Sequence, residues 1–551
     1  MLKISRSALY PVVVAAFGVV ISLPACGAGA TVSTTGSGGS PSGTVGSDGG
    51  VGGTGGELAS SVAASSSASG SSSSTGGGSG CVVGVDHVIF VGPAGKDTAA
   101  GTEADPFATV NHALAKAVAG DTVFVRDGVY SELVTFPGSG AAGAPITLRA
   151  YCGEHPVLDA TGLGSGVDRP ALVSVVDRSH VVVDGFELRN LTATGNSFGA
   201  GIWVRGSVSD VVIRNNDVHH ITAPGGGKDT GAHGIAVYGE KTTPSEDVHL
   251  TGNLLHDLVL GPSEALVVNG NVRKFEVLDN TVHDVNNIAF DFIGFEPDVC
   301  ASCSQADVSD VPNVNRVRDG LVRGNTAFNM TTATNPAYGG EKAAACFYVD
   351  GGAGIIIERN IAHDCDLGVE LASEHYQKAT RGVFVRDNFL YNNDVTGVAT
   401  GGYDPGTGPG GGSAEQCWIV NNTIVNSSRN GWADAGVLLQ NRNVNNHFEN
   451  NIVVATTGGS TVSNGGLKNT GNLIDYNVYF NGALSGVIDG GHSISKDPLL
   501  ISPSTGDLHL SAGSPAIDKG DDMVGADGAP QDLDIDGEPR KGHFDIGADE
   551  R

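Results

Sequence analysis

From about residue 180 to 455 the apolar residues come in short alternating bursts, and one phrase returns: an apolar strand, an asparagine, a second apolar stretch. It reads VVIRNNDVHHI, VHLTGNLLHDL, FEVLDNTVHDV, GLVRGNTAFNM, IIIERNIAHDC, VFVRDNFLYNN and WIVNNTIVNS. The asparagines are Asn216, Asn253, Asn280, Asn325, Asn360, Asn388 and Asn422, at intervals of 27 to 45 residues. A phrase repeating at that period marks a solenoid, and alternation without a helical period makes its units strands. An asparagine recurring at a bend can stack on its counterparts, its amide bonding to the coils above and below. His219, His256, His283 and His363 fall three residues after their asparagines, with Phe328 and Tyr391 in the same register. That mixture predicts an aromatic stack along the solenoid, not a column of metal ligands.

A second strand recurs in each coil as GIWVRG, GIAVYG, ALVVNG, AFDFIG, CFYVDG, GVELAS, GVATGG and GVLLQN. Its second and fourth residues are nearly all apolar and should point inward, leaving the third and fifth facing solvent. The third positions are Trp203, Ala236, Val267, Asp291, Tyr348, Glu370, Ala399 and Leu438; the fifth include Arg205, Tyr238, Asn269, Asp350 and Gln440. Acids therefore gather on three successive coils, as Asp291, Asp350 and Glu370. With strands about 4.8 Å apart and about 6.6 Å per residue pair along a strand, Asp350 and Glu370 have Cα atoms roughly 8 Å apart. Asp291 and Glu370, two coils apart, are roughly 10 Å apart. Such spacing suits a glycosidase carboxyl pair, at about 5 Å for retention or about 6.5–9.5 Å for inversion. Crowding also raises one carboxyl pKa, as a general acid requires. Trp203, Tyr238 and Tyr348 are candidates to stack on sugar rings, and Arg205, Asn269 and Gln440 to bond hydroxyls. Glu374 and His375, just past the Glu370 strand, are placed to reach over the same spot.

Composition agrees with strands and tight turns: 83 glycines and 17% charged residues depart from ordinary globular usage in that direction. A formal charge of -29 argues against nucleic acid and anionic lipid as partners. It also disfavours a polyanionic substrate unless a divalent cation bridges the two. Residues 1–25 combine Lys3 and Arg6 with an apolar run from Ala8 to Leu23, too short and too broken by Pro11 for a spanning helix. The run ends in Leu23-Pro24-Ala25-Cys26, which resembles a bacterial lipobox with Cys26 as the lipidated residue. Export to the cell surface or outer membrane, lipid-anchored, is the expected address. Residues 26–80 hold the anchor and a Gly/Ser-rich tether that cannot assemble an apolar face. Of the seven remaining cysteines, Cys300 and Cys303 predict a local disulfide, and the odd number leaves at least one thiol free or paired elsewhere.

The repeat resembles the pectin-lyase-like β-helix superfamily over most of residues 81–490. The opening VGPAGKDTAAGTEADPFATVNHALAKAVAGDTVFVRDGVY and the ending DPLLISPSTGDLHLSAGSPAIDKG with DLDIDGEPRKGHFDIGADE are similar to terminal segments of secreted members. The resemblance implies an all-β, right-handed parallel β-helix, capped by a helix over Val110 to Ala119 that Gly120 ends, with residues 491–551 as a C-terminal cap or tail. It says nothing of the reaction. The YVDGG and GVELASEH segments resemble the layout of β-helix β-xylosidases, whereas polygalacturonase and pectate-lyase motifs are incomplete or absent. The expectation is a monomeric, cell-surface glycoside hydrolase acting on a polysaccharide without a cofactor. A calcium-assisted lyase ranks second: it needs a Lys or Arg base, and Lys342 is the best placed. A non-catalytic carbohydrate binder or adhesin ranks third. Asp532, Asp534, Asp536 and Gly537 imitate part of a calcium loop, but His543 stands at its twelfth position, so a cap turn is expected there.

Overall fold

The computed structural model describes residues 87–551 apart from 196, 225–228, 305–313, 404–410, 431–432 and 523–532. The leader, Cys26, the tether, Cys81 and Asp532 lie outside the described residues.

Each coil contributes one strand to each of three parallel sheets, visited in turn. The first sheet has 13 strands, from Val88–Val91 to Leu473–Asp475; the second has 13, from Val129–Tyr130 to Ile494–Ser495; the third has 12, from Val134–Thr135 to Ala483–Ser485. Inward residues form one continuous core from Val91 to Tyr479. Parallel strands separated by a full turn of chain have no hairpin to fix their register, so matching inward apolar residues must set it.

The bend between the first and second sheets shows how the repeated phrase works. The residue before each ladder asparagine takes a left-handed conformation: Asn215, Gly252, Asp279, Gly324, Arg359, Asp387 and Asn421 have φ between 52° and 68°. Glycine, asparagine and aspartate adopt this most readily, which explains their frequency there. The asparagine that follows turns inward, its side chain essentially buried. Asn280 Nδ2 donates to Asn325 Oδ1 (3.0 Å) and to the Leu250 carbonyl (2.8 Å), while its backbone N–H donates to the same Asn325 oxygen (2.9 Å). The ladder runs unbroken from Asn216 to Asn422 and on to Asn451 and Asn477. The aromatic column forms too: His219, His256, His283, Phe328, His363 and Tyr391 stack with centroids 4.8–5.2 Å apart.

The helix expected over Val110 to Ala119 is shorter, Val110–Leu114. Glu132 accepts from the Val110 and Asn111 amides and fixes its start, and Val110, Ala113 and Leu114 join the core. Gly120 has φ 93° but stands beyond the helix end, in the turn to the next strand.

After Ser495 the chain folds back along the second sheet. Leu508 and Ala548 pack with Phe389 and Val425, and Leu510, Ala516 and Ile546 with Ile452 and Val478. Arg540, its side chain wholly buried, holds Asp387 of the solenoid at 2.6 Å and Glu550 at 3.1 Å. Asp534 Oδ1 accepts from the Asp536 and Glu538 amides, which makes this segment a turn. Cys300–Cys303 and Cys346–Cys365 are disulfides, Cys152 is also disulfide-bonded, and Cys417 is a buried free thiol.

Candidate active site

The third sheet carries the row of acids in the expected register. Trp203, Ala236, Val267, Asp291, Tyr348, Glu370, Ala399 and Leu438 pair in succession from coil to coil. Asp350 lies two residues past Tyr348 on the same strand, opposite Ala372.

The face itself is not open to solvent, which corrects the expectation from alternation. Asp291 is 2% exposed, Asp350 4% and Tyr348 7%. Single residues of the flanking turns come against the acids. Tyr338 comes from the turn before Ala345–Asp350, Glu296 from the turn after Phe290–Ile293, and Glu374 and His375 from the turn after Leu367–Ala372. Strand periodicity assigns a side to each residue but does not reveal what a distant turn lays over that side.

Burial and crowding set the chemistry. Glu374 N–H donates to Asp350 Oδ1 at 2.8 Å. Burial, then the Glu374 charge, pushes the Asp350 carboxyl well above its ordinary range, partly offset by His375 and by that amide. Burial, with the charges of Glu264, Asp350 and Glu374, does the same to Asp291, whose Oδ1 has no hydrogen-bond partner. Glu370 is pushed up to about 7 by burial and by Asp350, against a hydrogen bond from Gln440. Glu374 reaches about 7 through burial and Glu296, and Glu264 about 8 through burial, with Glu296 and Asp350 adding to it. For His375, burial opposes protonation, but Glu296 and the Asp350 and Glu374 charges outweigh it and raise its pKa. Its Nε2 lies 3.3 Å from Glu296 Oε1.

Glu296, Asp350 and His375 point their ligand atoms to within 4.8 Å of one another. Together they could hold a metal ion such as zinc, which would take Asp350 in its ionised form.

Asp291, Tyr348, Asp350, Glu370, Glu374 and His375 therefore share one site. Trp203 and Arg205 do not present themselves as expected. Trp203 is 1% exposed, packed edge-on against His233 and Tyr238 and flanked by Arg169 and Arg205. Arg205 donates through Nε and Nη2 to Glu240. Tyr238 donates to His233 Nε2 at 3.3 Å, and His233 Nδ1–H donates to the Glu264 carbonyl at 2.9 Å; burial lowers the His233 pKa to about 4. Asn269 is buried with its Oδ1 unpartnered. Glu264, Glu296 and Tyr338 escaped the sequence reading because they sit in turns, where no strand periodicity points to them.

Uncharacterized protein YwoF of Bacillus subtilis (strain 168) is 34% identical over 394 residues, covering 71% of this chain and 80% of that protein. The profile of the Pel9A-like, right handed beta helix region matches residues 89–244. The chain belongs to the pectin-lyase-like right-handed β-helix family. Pectate lyase PEL9 of Emericella nidulans is 39% identical to this β-helix protein over 93 residues, 16% of this chain and 23% of that enzyme. The solved complex of XylC with xylose superposes on this family member with a TM-score of 0.47 at 13% identity, over 84% of this chain and 98% of that one.

Proposed function

We propose that the protein hydrolyses glycosidic bonds in a polysaccharide, with Asp350 and Glu370 as the reacting carboxyls. The observation that carries this is the buried, crowded cluster of carboxyls on adjacent coils, in which burial and the Glu374 charge raise the Asp350 pKa well above its ordinary value. Asp350 then gives its proton to the leaving glycosidic oxygen, and Glu370, ionising near 7, acts as base or nucleophile at the anomeric carbon. Asp291, also proton-retaining, supports Asp350 from the preceding coil without adding charge. Tyr348 stands between Asp291 and Glu370 and lines the sugar site, with Glu374 and His375 at its rim. The named activity of PEL9 supports a polysaccharide as the substrate class.

The same relative favours a lyase as the second reading. Against it, Lys342 is ion-paired with Asp394 and Arg205 with Glu240, so neither is presented to the acids as a base. The address is part of the proposal: Cys26 anchors an exported monomer at the bacterial surface.

The test uses neutral and acidic polysaccharides, following new reducing ends and unsaturated-sugar absorbance together, with and without chelator. Reducing ends without absorbance, lost in Glu370→Gln, support hydrolysis. Asp350→Asn should fail on natural glycosides yet recover on substrates with an activated leaving group, which need no proton. Absorbance lost with chelator would replace the hydrolase by the lyase; binding without any cleavage would leave a carbohydrate binder.

A further inference from the structure

Around the corner from Asp350, where the third sheet turns into the first, lies a cavity of about 430 Å³. Its walls include Asn271, Arg273, Arg318, Asp319, Ala353 and Gly354, the last two only three and four residues beyond Asp350. Many of the solenoid's arginines are neutralised by a carboxylate. Arg189 pairs with Asp159, Arg214 with Asp184, Arg323 and Arg386 with Glu358, and in this cavity Arg273 with Glu246 at 2.7 Å.

Arg318 lines the cavity without such a partner. Its Nη1 donates to Asn271 Oδ1 and to the Arg316 carbonyl, both at 3.0 Å, which fixes the plane of the guanidinium. Asn271 is itself 1% exposed, its Nδ2 tied to the carbonyls of Lys241 and Thr242. The Nε and Nη2 of Arg318 make no hydrogen bond, and no carboxylate stands within 4 Å of it, among the described residues. Burial works against its charge; Asp319 eases this and Arg273 adds to it. A half-buried guanidinium that lines the cavity, is fixed through Nη1 and keeps further donors unused is an arrangement suited to capture of an oxyanion. The net charge of -29 works against any anion, so binding here must rest on this local contact.

We propose that this cavity is an oxyanion-binding site centred on Arg318, taking the carboxylate of an acidic sugar or a small inorganic oxyanion. It is separate from the carboxyl cluster and does not depend on the hydrolase reading. Arg273 supports it from the side while remaining paired with Glu246, and Asp319 on the rim weakens it.

The experiment is calorimetric titration of the full chain with galacturonate, sulfate and glucose, using the variants Arg318→Gln, Arg318→Lys and Asp319→Asn. Galacturonate binding with millimolar affinity, absent for glucose, assigns a sugar acid; sulfate binding without galacturonate assigns an inorganic anion. Both support the site if Arg318→Gln abolishes the signal. Arg318→Lys, which keeps the charge but not the planar fork, should weaken binding about fivefold or more. Asp319→Asn, a substitution compatible with the left-handed backbone there, should tighten it. Circular dichroism of those two conservative variants, expected to match the parent, keeps the test valid if Arg318→Gln misfolds. Heat absent for both anions, or an affinity indifferent to Arg318→Lys and Asp319→Asn, overturns the proposal.

Discussion

Asp291 and Glu370 pay for their chemistry in stability. Each has a folded pKa above that of the unfolded chain, so the native state binds more protons, and stability falls as pH rises from about 3.9 for Asp291 and about 4.3 for Glu370 upward through the folded value. For Glu370 that window closes near 7; Asp291 extends it higher. Asp291→Asn, which keeps the shape and removes the latent charge, should raise the melting temperature at pH 8 while changing it little at pH 5. An equal shift at both pH values would show that the cost is not electrostatic. The same ionisation should appear in catalysis. Activity is expected to rise through pH 7 as Glu370 ionises and fall again as Asp350 loses its proton, and in Glu370→Asp the lower limb should move.

At the level of elements, the asparagine ladder carries more than its hydrogen-bond count suggests. Asn325→Ala leaves the Asn280 amide and side-chain Nδ2 without their shared acceptor, two buried donors at about 1–3 kcal/mol each. A loss of about 3 kcal/mol or more is expected in urea unfolding; a loss under about 1 kcal/mol would mean that neighbouring coils close over the gap. The returning C-terminal segment hangs on Arg540. Arg540→Met strands Asp387, already pushed up to about 6 by burial despite that arginine, at an expected cost of about 3–5 kcal/mol. Limited proteolysis should then cut within residues 500–551 and leave the solenoid whole.

Over the whole molecule, one core links coils that the chain visits in strict order, so a buried reporter in one coil senses its neighbours. Cys417 is that reporter: burial pushes its thiol up to about 11, and it should resist thiol reagents until the surrounding coils open. Labelling in native buffer as fast as in denaturant would contradict the packing. The coil-to-coil pairing of Asp291, Tyr348 and Glu370 was legible in the sequence, because period-two alternation and a recurring asparagine fix both register and bend from local information. The ladder also continues to Asn451 and Asn477, where the same bend, with Asn450 and Tyr476 left-handed before it, repeats. The burial of that row, the turning of Trp203 into a packing residue and the arrival of Glu264, Glu296 and Tyr338 were decided only in three dimensions. Those outcomes depend on turns whose length varies and whose residues follow no period, so their contacts are set by the coils they happen to cross. Local pattern determined which side chains share a face; tertiary structure decided what covers that face, and therefore which carboxyls keep their protons.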